Sequence, residues 1–206
     1  MGRIQRTPTN EQQATKEFLE YAKQAQEQIV EAQAQKTKII LSDGTITVFR
    51  PVILEDVRSL AKAGNLNPIE VAGRLIVRNC ISWGDKPGIA LPQLRNVDVE
   101  DVELISQALS PSNTPEFTEL SDRSKSLFLG SGIEVIFRRP NYGDVEAISK
   151  CKGGELESQI ALALRLCTKW GDRDSVEESI LNQINTGDWQ GVANLIKSFR
   201  SKPEND

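Results

Sequence analysis

The sequence predicts an α+β protein: an internal duplication of a small unit, a β-hairpin plus about three helices, preceded by a long N-terminal α-helix. Three observations carry that expectation. The pattern C-x-x-W-G-D is written twice, in "VRNCISWGDKP" (77–87) and "LRLCTKWGDRD" (164–174), each time at the end of an apolar, helix-like run. Upstream of each copy lies the same kind of segment, "KIILSDGTITVFRP" (38–51) and "SLFLGSGIEVIFRRP" (126–140): strand, Gly-containing turn, β-branched strand, basic residue, proline. Residues 10–36 contain no Gly or Pro and are dense in Ala, Gln, Glu and Lys, all good helix formers.

In chain order, the N-terminal helix comes first. Phe18, Ala22, Ala25, Ile29 and Ala32 follow a 4-3-4-3 spacing, the period of a packing seam. The seam is narrow and mostly alanine. Such a helix either lies across its own two repeats or forms an arm that docks on another subunit, with Phe18, Ala22, Ala25 and Ile29 as the contact.

The hairpins follow. Ser42-Asp43-Gly44 and Gly130-Ser131-Gly132 supply the positive φ that tight turns require. Ile46 and Val48, then Ile133, Val135 and Phe137, alternate as half-buried strands do. Pro51 and Pro140 end those strands, because proline cannot donate to a ladder. A short helix with an acidic first turn and a glycine stop is expected in "LEDVRSLAKAG" and in "GDVEAISKCKGG". A longer apolar helix is expected over 67–83 and over 155–170, the first with Asn67 as N-cap and Pro68 at N1, each closed by Gly84 or Gly171. A last helix in each copy, "VDVEDVELISQAL" and "GDWQGVANLIKSF", matches Val102, Ile105 and Leu109 to Val192, Leu195 and Phe199. The copies are offset by 88 residues at Phe49/Phe137, by 87 at Cys80/Cys167 and by about 90 in the last helix, the drift expected from loop insertions. The chain then divides into an arm (1–36), repeat unit 1 (37–110), an exposed Ser/Pro/Asp-rich linker (111–125), repeat unit 2 (126–201) and a tail (202–206).

Composition narrows the function classes. The 206 residues carry 29 acidic and 25 basic side chains, a net charge of −4, which offers no basic footprint for nucleic acid. No apolar run is long enough to cross a membrane, and the Gln/Glu-rich beginning is unlike a signal peptide, so synthesis in the cytoplasm is expected. The absence of histidine removes His-based triads, His-ligated zinc and the ordinary general base near neutral pH. Three widely spaced cysteines, Cys80, Cys151 and Cys167, build neither a disulfide framework nor a metal knuckle. No phosphate-loop pattern surrounds Gly153-Gly154, and Ser131 has no conventional activator. No cofactor, metal or catalytic residue is assigned, and an enzyme is not expected.

The Trp-Gly-Asp corners permit two readings. As a site, Trp83 and Trp170 would be stacking platforms and Asp85 and Asp172 acids or ligands. The structural reading is adopted instead: each Trp ends the apolar face of its helix, Gly84 or Gly171 stops it, and the Asp caps or bonds to the turn.

The run "LSDGTITVFRP", followed by "LEDV", "LIVRNCI" and "VDVEDVELI", resembles the small baseplate-hub and assembly proteins of contractile-tailed bacteriophages and related contractile injection systems, together with their tail assembly chaperones. Those proteins typically begin with an apolar strand, a Pro-Ser-Gly-like turn, whose place Ser42-Asp43-Gly44 takes here, and a strand ending in Arg-Pro. The resemblance covers 38–109 and, more weakly, 127–199; the tandem copy and the arm depart from the single-unit pattern. It implies a non-enzymatic structural or assembly component of a phage-tail-like contractile particle. The implied partners are other tail, tube or baseplate subunits in a larger homo- and hetero-oligomeric assembly. The implied location is the virion, after assembly in the host cytoplasm. The competing expectation is a cytoplasmic adaptor or regulatory module unrelated to phage.

Overall fold

The computed structural model describes residues 36–64, 66–110 and 114–199. The arm residues Phe18, Ala22, Ala25 and Ile29, and the 202–206 tail, lie outside that range.

The described chain is mixed α+β, with two four-stranded antiparallel sheets. The first unit runs β1 (Thr37–Ile40), β2 (Ile46–Phe49), α1 (Leu54–Lys62), α2 (Pro68–Asn79), β3 (Cys80–Trp83), β4 (Lys86–Pro87), α3 (Leu91–Leu94) and α4 (Val99–Leu109). The second runs β5 (Phe117–Glu119), β6 (Lys125–Phe128), β7 (Glu134–Phe137), α5 (Tyr142–Ser149), α6 (Gly154–Leu166), β8 (Cys167–Trp170), α7 (Glu178–Leu181) and α8 (Thr186–Ser198). Strands pair in the orders β1-β2-β3-β4 and β5-β6-β7-β8. The order strand, strand, helix, helix, strand, helix, helix therefore occurs twice.

Local chemistry explains most boundaries. Gly44 (φ 83°) and Gly132 (φ 80°) take the left-handed positions of the two hairpin turns, as their flanking strands required. Asn67 accepts from the backbone N–H of Glu70, and the Glu70 carboxylate accepts from the N–H of Asn67, a reciprocal cap with Pro68 at N1.

The C-x-x-W segments correct the expected hairpins and helices together. Each long helix stops at Asn79 or Leu166, and the next residue, Cys80 (φ −69°, ψ 118°) or Cys167 (φ −62°, ψ 121°), is already extended. The four residues Cys-to-Trp then form a third strand, with Phe49 opposite Cys80 and Phe137 opposite Cys167. Both second strands shift register at the same point, between Val48 and Phe49 and between Ile136 and Phe137. A third strand stabilises what a bare hairpin cannot. Among the described residues each unit also holds four helices, because short α3 and α7 precede the last one. Gly84 (φ 58°) and Gly171 (φ 60°) do adopt the left-handed conformation, but at a turn after a strand, not at a helix end. Their N–H groups donate to Ile46 O and Glu134 O.

Two further expectations change. Part of the linker, Phe117–Glu119, is the edge strand β5 on β6. The last helices correspond at an offset of 87, not about 90: their N-caps are Asp98 and Asn185. Their buried third residues are Asp101 and Asp188.

Side chains from the inner sheet faces and the helices form two clusters. One contains Phe49, Ile76, Leu94 and Ile105, with Trp83 packed at its edge. The other contains Val135, Phe137, Leu166, Trp170, Leu181 and Val192, and it also takes in Leu54 from the first unit. Trp170 is buried at 4% exposure, whereas Trp83 is half-buried. Trp170→Ala is therefore expected to cost about 3–5 kcal/mol as a large-to-small core change, and Trp83→Ala distinctly less. Urea denaturation of the two variants checks the order; equal losses would contradict the difference in burial.

Candidate functional site

The Trp-Gly-Asp corners do not converge on a site. Trp83 and Trp170 serve different clusters. Asp85 and Asp172 are exposed beside their turns, and neither makes the side-chain hydrogen bond expected of a cap. The cysteines at the strand starts are partly to fully buried, and burial pushes the thiols of Cys80 and Cys167 up to about 11. They stay protonated at neutral pH, which makes them poor nucleophiles. Among the described residues, no group of three or more His, Cys, Asp or Glu could hold a metal ion.

What the fold does bring together are buried carboxylates, and each unit has the same two. Arg50, the basic residue of "FRP", ends β2. Its guanidinium makes two bonds of 2.8 Å to the carboxylate of Asp56, in the first turn of α1. Arg78, near the end of α2, reaches the same carboxylate at 2.5 Å, and the Ile53 N–H donates to it at 3.2 Å. In the second unit Arg138 binds Asp144 at 2.7 and 3.0 Å, Arg165 adds a bond of 3.2 Å, and the Asn141 N–H donates at 2.9 Å. Both carboxylates are 1% exposed.

The second repeated carboxylate lies in the last helix. Asp101 accepts from the Ser42 N–H (2.9 Å) and hydroxyl (2.7 Å), holding the first hairpin turn against α4. Asp188 accepts from the Gly130 N–H (2.6 Å) and the Asn185 amide (2.7 Å), holding the second turn against α8.

Charge and burial work differently at these acids. Arg138 holds the Asp144 carboxyl well below the usual carboxylate range, helped by the Asn141 N–H and Arg165 against the opposing effect of burial. For Asp56, burial pushes the carboxyl up, but Arg50, the Ile53 N–H and Arg78 outweigh it and leave it lowered. At Asp188 burial pushes the carboxyl up, opposed by the Gly130 N–H and the Asn185 amide.

The two units meet at a contact that pattern reading missed. The N–H groups of Leu54 and Glu55, the first turn of α1, donate to Ile184 O (3.0 Å) and Asn182 O (2.9 Å) in the loop between α7 and α8. Thr186 N–H returns a bond to Val52 O at 3.1 Å. Leu54 is fully buried there. Arg58, one turn along, grips Glu157 with two bonds of 2.6 Å and also binds Glu178 and Asn182. Its side chain is 13% exposed, so this pair is shielded far more than an ordinary surface salt bridge. The sequence signal for the contact is slight: apolar Val52 and Leu54, with the basic Arg58 four positions after Leu54. Elsewhere, Lys125 is buried with its Nζ 4.8 Å from the Phe117 ring and 5.0 Å from the Phe199 ring, donating to Ser198 Oγ.

The chain matches no protein-family model, no curated protein and no solved structure.

Two outcomes follow. Asp56, Asp144 and Glu157 have folded-state pKa values below their ordinary ones, so their stabilising contribution is present above about pH 4 and is lost as pH falls through the folded values. Asp188, shifted the other way, offsets part of that loss. Stability measured by chemical denaturation should therefore drop below about pH 4, and Asp144→Asn should flatten that drop while costing about 1–3 kcal/mol at pH 7. An acid limb as steep in Asp144→Asn as in the parent chain would count against this role. Arg58→Ala should cost about 2–3 kcal/mol at pH 7, since it leaves the half-shielded Glu157 without its partner; Lys62→Ala, a more distant and exposed neighbour of Glu157 at 3.8 Å, should cost little by the same measurement.

Proposed function

We propose that the chain is an internally duplicated, non-enzymatic structural or assembly component of a phage-tail-like contractile particle, acting through protein–protein contacts. The observation that carries this reading is how the buried carboxylates are used. Asp56, Asp101, Asp144 and Asp188 are each committed to arginines or backbone N–H groups that fix one element against another, in the same way in both units. Charges placed this way build a scaffold, and a twice-built scaffold serves by the surfaces it presents.

The sequence resemblance supplies the setting. "LSDGTITVFRP" and its sequel match the pattern of small baseplate-hub and tail-assembly proteins, and here the "FRP" arginine has a defined task in the fold. On this reading the partners are tail, tube or baseplate subunits, and the protein joins the virion after assembly in the host cytoplasm. The N-terminal arm adds affinity by laying Phe18, Ala22, Ala25 and Ile29 into a partner groove.

Co-expression with tube and baseplate subunits tests the reading. The full chain should co-sediment with them. A chain lacking residues 1–36 should keep a cooperative thermal transition but no longer co-sediment. Normal incorporation of the truncated chain would remove the arm's role, and a full chain that never associates with such subunits would remove the reading itself.

A further inference from the structure

The contact that joins the two units has two sides, and each unit should possess both. The first unit uses the start of α1 as a plug; the second uses its α7–α8 loop as the socket. The second unit's own plug and the first unit's own socket are left over. We propose that these two surfaces bind each other between copies of this chain, head to tail. The inference rests on the correspondence of the two units and not on the tail-assembly reading.

The leftover plug is the start of α5. An offset of 88, set by Arg50/Arg138 and Asp56/Asp144, places Tyr142 where Leu54 stands. Leu54 is fully buried by the other unit, whereas Tyr142 is 83% exposed and Val145 53% exposed. The whole turn Asn141–Gly143 is exposed, while Val52–Asp56 is buried or half-buried. The leftover socket is the loop between α3 and α4. An offset of 87, set by Asp98/Asn185 and Asp101/Asp188, places Arg95, Val97 and Val99 where Asn182, Ile184 and Thr186 stand. Arg95 and Val99 are exposed, Val99 at 67%.

The differences between the used and unused surfaces are compensatory. Where the used socket has Glu178 and Thr186, the unused one has Leu91, half-buried against the first unit's core, and the exposed Val99, an apolar rim for the larger, aromatic plug Tyr142. The charges change together: the used plug sets Arg58 and Lys62 against Glu157 and Glu178, whereas the unused plug carries Glu146 paired with Lys150 at 2.9 Å and the unused socket carries Glu70 and Arg95 at the places of Glu157 and Asn182. Arg58 of the used plug binds Asn182 and two glutamates; its counterpart is Glu146, and the counterpart of Asn182 is Arg95. The neutral Glu146–Lys150 pair suits a socket in which Arg95 balances Glu70 better than one that carries both Glu157 and Glu178. That change disfavours the second unit's plug at the intramolecular site. A plug and a socket at different places on one chain form a heterologous contact, which propagates into a ring or an open chain.

Sedimentation velocity on the purified full chain, without tail proteins, provides the test. Wild type should grow in size with concentration, with association in roughly the micromolar range. Tyr142→Asp and Val99→Asp, both at exposed positions, should each weaken growth at least about tenfold. Mixed one to one, they should form a discrete dimer, because Tyr142→Asp keeps an intact socket and Val99→Asp an intact plug. Glu146→Arg and Arg95→Glu should each weaken association, and the double variant should recover it. A wild type that stays monomeric at roughly 100 µM overturns the proposal. So does association untouched by either aspartate, or a mixture that gives no dimer. A monomeric wild type that still binds tube or baseplate subunits would overturn only the head-to-tail contact.

Discussion

One carboxylate per unit, gripped by an arginine six residues earlier, organises the rest of the fold. Arg50 ends a strand and Asp56 opens the next helix, so their bond sets the angle at which the chain leaves the sheet. Arg78 brings the far end of α2 to the same point, and the Arg50 N–H donates to Asn79 O beside it. The return of α2 against β2 then leaves the chain only one way forward, antiparallel along β2 as β3. The second unit repeats this with Arg138, Asp144, Arg165 and the bond from Arg138 N–H to Leu166 O. A buried ion cluster of this kind adds little net stability over apolar packing, because desolvation opposes the attraction. Its contribution is to make other arrangements costly, since any of them would leave a buried carboxylate unpaired.

With the framework fixed that way, the outer surfaces are free to differ. Position 79 shows the freedom inside the core: Asn79 is buried with its amide donating to Leu75 O and its Oδ1 without a partner, where the second unit has Leu166. The first turns of α1 and α5 show it outside. Both keep the aspartate at the third position, yet one turn has become an internal interface and the other faces solvent. The aspartates hold the backbone of both turns alike, so the side chains between them can change without moving the surface that carries them.

Much of this was legible in the sequence because glycine, proline and alternation act locally. The hairpin turns, the Asn67-Pro68 start and the α+β class follow from residues within a few positions of each other. The C-x-x-W segments were misread because Leu75, Ile76 and Cys80 fit a helical face, and the same apolar residues also fit a strand that begins at Cys80. Nothing in the local pattern says that Phe49 is waiting opposite. The register of the last helix slipped because apolar positions three apart share one face, so Val102 can be matched to Val192 or to Trp189. Asp101 and Asp188 decide it, but only once each is seen bonded to its own hairpin turn.

The interface between units was the least legible feature, for a physical reason. Leu54 and Tyr142 are both unremarkable as sequence, and burial separates them only because the bonds from Leu54 N–H to Ile184 O and from Thr186 N–H to Val52 O join segments far apart in the chain. The charge at the next turn is the more informative signal. Arg58 stands where the other unit has Glu146, and its partners Glu178 and Asn182 stand where the other unit has Leu91 and Arg95, while Glu157 keeps its charge as Glu70. A difference on one side of a contact, matched by a difference of opposite sign on the other, is what two distinct but related interfaces require. A repeated unit that kept identical plugs and sockets could not choose between folding onto itself and binding its neighbour. The paired change of charge reduces that ambiguity, and it does so without touching the carboxylates that hold either unit together.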